Sequence, residues 1–160
     1  MSRNEEQAVD VEPPPTMVSD EIRAAALVDR VMAIAHLPDP AHVAVIGHRT
    51  LPLVLALLRR GCRAVRSLRP DAPSPDCEPA ELAWIIDPRD EHELDGALRA
   101  ARWRAGRGGR VILEGAACRW CHAPATVRNH VLAAGLDVVS FDHVTRRLVL
   151  APSSRVALAA

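Results

Sequence analysis

Short apolar runs closed by glycine or aspartate alternate with helix-period segments along this chain, and no other feature narrows its fold as much. His42-Val43-Ala44-Val45-Ile46-Gly47 is brief, β-branched and ends in glycine, the pattern of a strand buried on both faces. Thr50 can cap a helix through Pro52–Arg60, with proline in the first turn and Gly61 at the C′ position. Arg63–Leu68 reads as a second strand, Leu82–Asp87 as a third and Arg110–Gly115 as a fourth. Asp90–Ala105 is helical, with Leu94, Ala97, Leu98 and Ala101 on one face, and Gly106-Arg107-Gly108-Gly109 turns into the next strand. A helix from Pro124 to Ala134 ends at Gly135; Asp137–Val144 and Arg147–Ala151 read as antiparallel strands turned at Thr145-Arg146. This order predicts an α/β fold in three layers, a mostly parallel sheet between helices with a C-terminal antiparallel hairpin.

A chain of 160 residues, 49% hydrophobic and 25% charged, suits one globular domain. Residues 1–18 read as a disordered tail, acidic and then extended by Pro13-Pro14-Pro15. The domain is expected over 19–160. It opens with a helix at 19–36, capped by Ser19, with Asp20 and Glu21 in the first turn. Ile22, Ala25, Ala26, Val31, Ile34 and Ala35 recur along that helix, Leu37-Pro38-Asp39-Pro40 stops it, and the core follows over 42–151.

Basic and acidic side chains balance at 20 each, so no global field draws the chain to nucleic acid or an acidic membrane. Every basic residue other than histidine is arginine, which excludes Schiff-base and P-loop lysine chemistry. With no tyrosine and a single phenylalanine, there is little to stack on bases. The arginines near the middle helix (Arg99, Arg102, Arg104, Arg107, Arg110) and around the second strand (Arg59, Arg60, Arg63, Arg66, Arg69) read as solvated faces. No apolar run is long enough to span a bilayer, and the N-terminus lacks an export signal. The expected location is the cytoplasm, with four cysteines as reduced thiols.

Four local sequences carry a resemblance. Val43-Ala44-Val45-Ile46-Gly47 is similar to a first strand running into a glycine-rich loop, and Leu57-Leu58-Arg59-Arg60-Gly61-Cys62-Arg63 to the helix end before strand two. Leu98-Arg99-Ala100-Ala101-Arg102 with Gly108-Gly109-Arg110-Val111-Ile112-Leu113 resembles a helix, Gly-Gly turn and strand. Leu132-Ala133-Ala134-Gly135-Leu136-Asp137-Val138-Val139 and Arg147-Leu148-Val149-Leu150 resemble a last helix and final strand pair. In this order, over about residues 43–151, they resemble the class I S-adenosylmethionine-dependent methyltransferases. The resemblance implies a Rossmann-like α/β/α sandwich, S-adenosylmethionine as cofactor, and a site at the carboxyl ends of the strands. It would be lined by Gly47, His48, Arg49, Thr50, Leu68, Asp87 and Gly115.

The departures bear on function. The family's loop holds several glycines so that the backbone can approach the cofactor; here Gly47 is followed by His48-Arg49-Thr50-Leu51-Pro52. The family ends its second strand in an acid that accepts hydrogen bonds from the ribose hydroxyls. Leu68 stands there instead, and the unmade bonds would cost on the order of a few kcal/mol of binding. The stretch from Arg69 to Glu81 is too short for the usual further helix and strand, so one unit is shortened. Asp87-Pro88 matches a position where some members keep catalytic residues, and it also simply terminates a strand.

Cys118-Arg119-Trp120-Cys121-His122 has the CxxCH form of c-type haem attachment. Covalent haem attachment needs export, and a strand–helix connection offers no space for haem, so haem is not expected. Cys118, Cys121 and His122 could ligate zinc, with Cys77, Cys62 or His48 as a fourth ligand, but no second CxxC specifies a closed site. A redox dithiol is a further reading, and ordinary loop cysteines are the plainest. The scattered His36, His42, His92, His130 and His143 read as surface or core residues.

The leading expectation is a degenerate, non-catalytic methyltransferase-like domain that binds a small molecule or a protein partner. The alternatives are an active methyltransferase with an altered cofactor site and a metal or thiol-redox protein. An apolar helix face with few aromatics also suits packing across a homodimer, which nothing in the sequence specifies.

Overall fold

A computed structural model describes residues 15–39, 41–71, 78–106, 108–115 and 124–154. The elements in order are α1 (Pro15–Ala35), β1 (His42–Gly47), α2 (Leu51–Arg59), β2 (Ala64–Leu68), β3 (Leu82–Ile86), α3 (Glu91–Arg104), β4 (Arg110–Glu114), α4 (Pro124–Ala133), β5 (Leu136–Asp142) and β6 (Arg147–Pro152). From β1 onward their ends fall within one or two residues of the sequence expectation.

The first helix departs further. It begins at Pro15, so Ser19 lies inside it rather than capping it. A proline suits a first turn, where its missing amide has no partner to lose. The buried stripe is also rotated from the expected one. Ala24, Val28, Val31 and Ala35 face the core at 4-3-4 spacing, whereas Ile22 is 65% exposed. The small residues sit where α1 lies close to its neighbours, and Asp29 accepts a hydrogen bond from Arg60 beyond the end of α2 at 2.6 Å. Residues 1–14 of the expected tail lie outside the described residues.

One six-stranded sheet runs in the order β2-β1-β3-β4-β6-β5. The pairs β1–β2, β1–β3 and β3–β4 are parallel, while β6 lies antiparallel to both β4 and β5. Successive side chains on a strand point to opposite faces, and the two cores divide accordingly. Val43, Val45, Leu82, Trp84 and Ile112 meet α1 and α2 on one face. Ile46, Ala83, Ile85, Val111, Leu113 and Leu150 meet α3 and α4 on the other. The middle strands are therefore apolar throughout, which explains their continuous hydrophobic runs. Full burial of each large aliphatic side chain contributes about 1.5–3 kcal/mol.

The shortened unit leaves β2 as an edge strand, with Arg66 and Ser67 exposed, and charge on an edge discourages further pairing. The connection from β2 to β3 adds no helix or strand among the described residues. It starts across the α3 face, where Pro70 is buried against Gly96. A Cβ on Gly96 would stand 2.5 Å from the Pro70 carbonyl oxygen. The hairpin turn is closed by Asp142, whose Oδ1 accepts the Val144 amide at 2.8 Å.

Candidate functional site

All seven residues expected to line a site lie at or just beyond the carboxyl ends of β1 to β4. Gly47 ends β1 opposite Ile86, and Leu68 ends β2 opposite Ile46. Gly47 has φ +159°, and a Cβ there would meet the Ile86 carbonyl oxygen at 2.7 Å, so only glycine fits. Asp87 follows β3 with φ 45°, its amide donating to the Glu114 carbonyl at 3.0 Å. Gly115 lies against it: an added Cβ would stand 2.9 Å from Asp87 Oδ1. The exposed Asp87 is thus bound into the ends of two strands through its backbone, as a strand terminator would be.

The loop after β1 is filled by paired side chains. Glu93 Oε1 shares a hydrogen bond with His48 Nε2 at 2.9 Å, tying the loop to the first turn of α3. The other Glu93 oxygen accepts the Arg89 amide at 2.8 Å, and Asp90 Oδ1 accepts the Glu93 amide at 2.8 Å. Burial pushes the Glu93 carboxyl up, but the Arg89 amide and then His48 outweigh it and hold the carboxyl below its ordinary value. Arg49 is exposed at φ 51°. Thr50 is buried and precedes α2 as expected, yet its hydroxyl makes no cap bond; it pairs with the Ser67 hydroxyl beside Leu68.

Leu68 is half-buried and packs against the α3-side core. The end of β2 thus carries an apolar chain used in packing and no carboxylate.

Behind the carboxyl end of β4 lies a buried ion pair that the sequence did not reveal. Glu114 and Arg147 pair directly, and Trp84 Nε1 donates to the second Glu114 oxygen at 3.0 Å. Trp84 is fully buried, so its N–H needs that acceptor. Glu114 and Arg147 were legible only as the last and first residues of neighbouring strands; their pairing depends on the β4–β6 register. Glu93 did carry a signal. Asp90-x-x-Glu93 has the spacing of a capping box, in which the third residue's carboxylate reaches back over the helix start. His130 Nδ1, expected to be an isolated histidine, lies 2.6 Å from Asp95 Oδ1 and joins α4 to α3.

Cys118, Cys121, His122 and Cys77 lie outside the described residues. Cys62, offered as a further ligand, is buried, and that burial, with Asp39 nearby, pushes its thiol up. Among the described residues no group of three or more His, Cys, Asp or Glu side chains is placed to hold a metal ion. Nor is any described helix long and apolar enough to cross a membrane.

No protein-family profile matches the sequence, and no curated protein matches it. Solved structures do match. A TehB-like SAM-dependent methyltransferase from Corynebacterium glutamicum superposes with a TM-score of 0.63 at 13% identity, covering 86% of this chain and 96% of that one. The CcbJ methyltransferase from Streptomyces caelestis gives 0.62 at 14% identity, covering 93% and 94%. The glycopeptide N-methyltransferase MtfA, complexed with sinefungin, gives 0.59 at 10% identity, covering 79% and 92%. Strand order, the terminal antiparallel pair and these likenesses agree: the chain has the fold of the class I S-adenosylmethionine-dependent methyltransferases.

Proposed function

We propose that this chain is a methyltransferase-like domain that does not transfer methyl groups and acts by binding a protein partner or an altered small ligand at the carboxyl ends of β1 to β4. The observation that carries this reading is Leu68, whose side chain packs into the core where the fold's ribose acceptor would stand. The His48–Glu93 bond supports it by filling the loop that a cofactor's methionine end would approach. An apolar chain opposite two hydroxyls leaves both without a partner, a discrimination against the nucleoside of about 10²-fold.

One observation favours a second reading, an enzyme holding its cofactor differently. Thr50 turns its hydroxyl to Ser67, so no side chain of its own caps the first-turn amides of α2, and a helix N-terminus attracts negative charge. Calorimetry of the full chain with S-adenosylmethionine and S-adenosylhomocysteine separates the two. No heat of binding at millimolar ligand is expected; micromolar affinity for either would establish the second reading and end the first.

A further inference from the structure

The least satisfied buried charge among the described residues lies at the other end of the sheet. Arg104, in the last turn of α3, is 4% exposed, and its Nε and Nη1 have no hydrogen-bond partner among the described residues. A guanidinium is always charged, carries five donors, and is costly to bury without an acceptor. Its backbone is fixed by the Ala80 amide, which donates to the Arg104 carbonyl at 2.7 Å. The side chain borders a narrow concavity of about 20 Å³ that opens to solvent. Ala44 and Ala64 line it on the strands, and Arg66 and His42 border it as well.

The position follows from the shortened unit. Ala44, Ala64 and Arg66 lie at the amino-terminal half of β1 and β2, where the β2–β3 connection adds no helix among the described residues. The small side chains of Ala44 and Ala64 leave room above the strands. One negative group borders the same space: Glu78, 78% exposed at the side chain and 4.0 Å from His42 Nδ1, stands at the rim.

We propose that Arg104 is the anchor of a binding site for a compact oxyanion, at the end of the sheet opposite the methyltransferase-type crevice. The unpartnered Nε–H and Nη1–H groups are charge-assisted donors for an anion's oxygens, and burial of the guanidinium strengthens such bonds. The site takes phosphate or carboxylate chemistry, and size and charge decide between them.

Thermal unfolding of the full chain in sodium phosphate, sodium acetate and sodium chloride at matched ionic strength and pH tests the site. Phosphate or acetate should raise Tm above chloride by about 5 °C or more near a hundredfold excess over Kd, and the anion giving the larger rise is the preferred class. Equal Tm in all three salts overturns the site. Arg104→Met should shrink the oxyanion response to the general salt effect and raise Tm in chloride, since it deletes a buried charge with no partner; a response of unchanged size overturns the site. Should that variant not fold, Glu78→Gln, at an exposed rim position, serves instead. Loss of its negative charge should tighten phosphate or acetate binding roughly threefold by calorimetry, and an unchanged Kd places the anion elsewhere and overturns the proposal.

Discussion

Arg147 and Arg104 are almost equally withdrawn from solvent, at 3% and 4% exposure, yet their surroundings are opposite. Arg147 meets Glu114, which also accepts from Trp84, so the carboxyl end of β4 is internally satisfied. Arg104 keeps two donors without partners among the described residues, beside the amino-terminal half of β1 and β2. Burial is the same; pairing differs. Fold analogy points to the carboxyl ends as the place for a ligand. Accounting for hydrogen bonds points to the amino end as the place where one is needed, because a buried polar group without a partner is the exception in folded proteins.

The sharpest way to break the contrast is to turn Arg147 into a second Arg104. Glu114→Leu would leave Arg147 charged and buried and strip Trp84 Nε1 of its acceptor, at a cost of about 3–5 kcal/mol by urea unfolding. Glu114→Leu with Arg147→Met should recover the share due to the unpaired charge, since an apolar pair can replace a buried ion pair, and leave about 1–3 kcal/mol for Trp84 Nε1, which still lacks its acceptor. A single variant that loses under about 1 kcal/mol would show that Arg147 can reach water, and the two arginines would then not differ as argued.

The next effect concerns the start of the β2–β3 connection, where Pro70 meets α3. Gly96→Ala should gain up to about 1 kcal/mol of helix propensity on α3. Against that, the new Cβ would stand 2.5 Å from the Pro70 carbonyl oxygen, and overpacking against a buried backbone costs about 1–3 kcal/mol. Net destabilisation is expected; a stabilised variant would mean the connection yields easily. A smaller loss of about 1 kcal/mol is expected for Asp90→Ala, which removes the acceptor of the Glu93 amide at the start of α3.

The sequence yielded the sheet because the signal for each middle strand is local: an apolar run, then glycine or aspartate. It also placed Gly47, Leu68 and Asp87 at one end, since parallel strands bring their carboxyl ends together. It misplaced the start and the buried face of α1, because Ile22 and Ile34 look like core residues while the packing selects Ala24 and Val28. Periodicity gives the spacing of a stripe but not which of two neighbouring stripes faces the sheet. Arg104 was one of a group of arginines read as a solvated face, and Arg99 in that group is exposed as expected. What distinguishes Arg104 is the fold over β1 and β2, information held by no residue near it in sequence. The Glu114–Arg147 pair was illegible for the same reason, its partners being 33 residues apart.

The smallest expected effect reads the carboxyl end by its charge. Glu93 has its carboxyl held below the ordinary value, because the Arg89 amide and His48 outweigh the upward push of burial. A depressed carboxyl stabilises the fold above its unfolded pKa, and that contribution is lost as pH falls through the folded value. Wild type should therefore keep its advantage over Glu93→Gln above about pH 4.5, and the gap should close as pH falls below it. Asp142 is also held low, by its bond from the Thr145 hydroxyl before any other, but it is present in both proteins and cancels in the difference. Parallel profiles down to pH 3 would mean that the His48–Glu93 bond adds nothing in its ionised form. The loop after β1 would then be held by shape alone, without a contribution from paired charge.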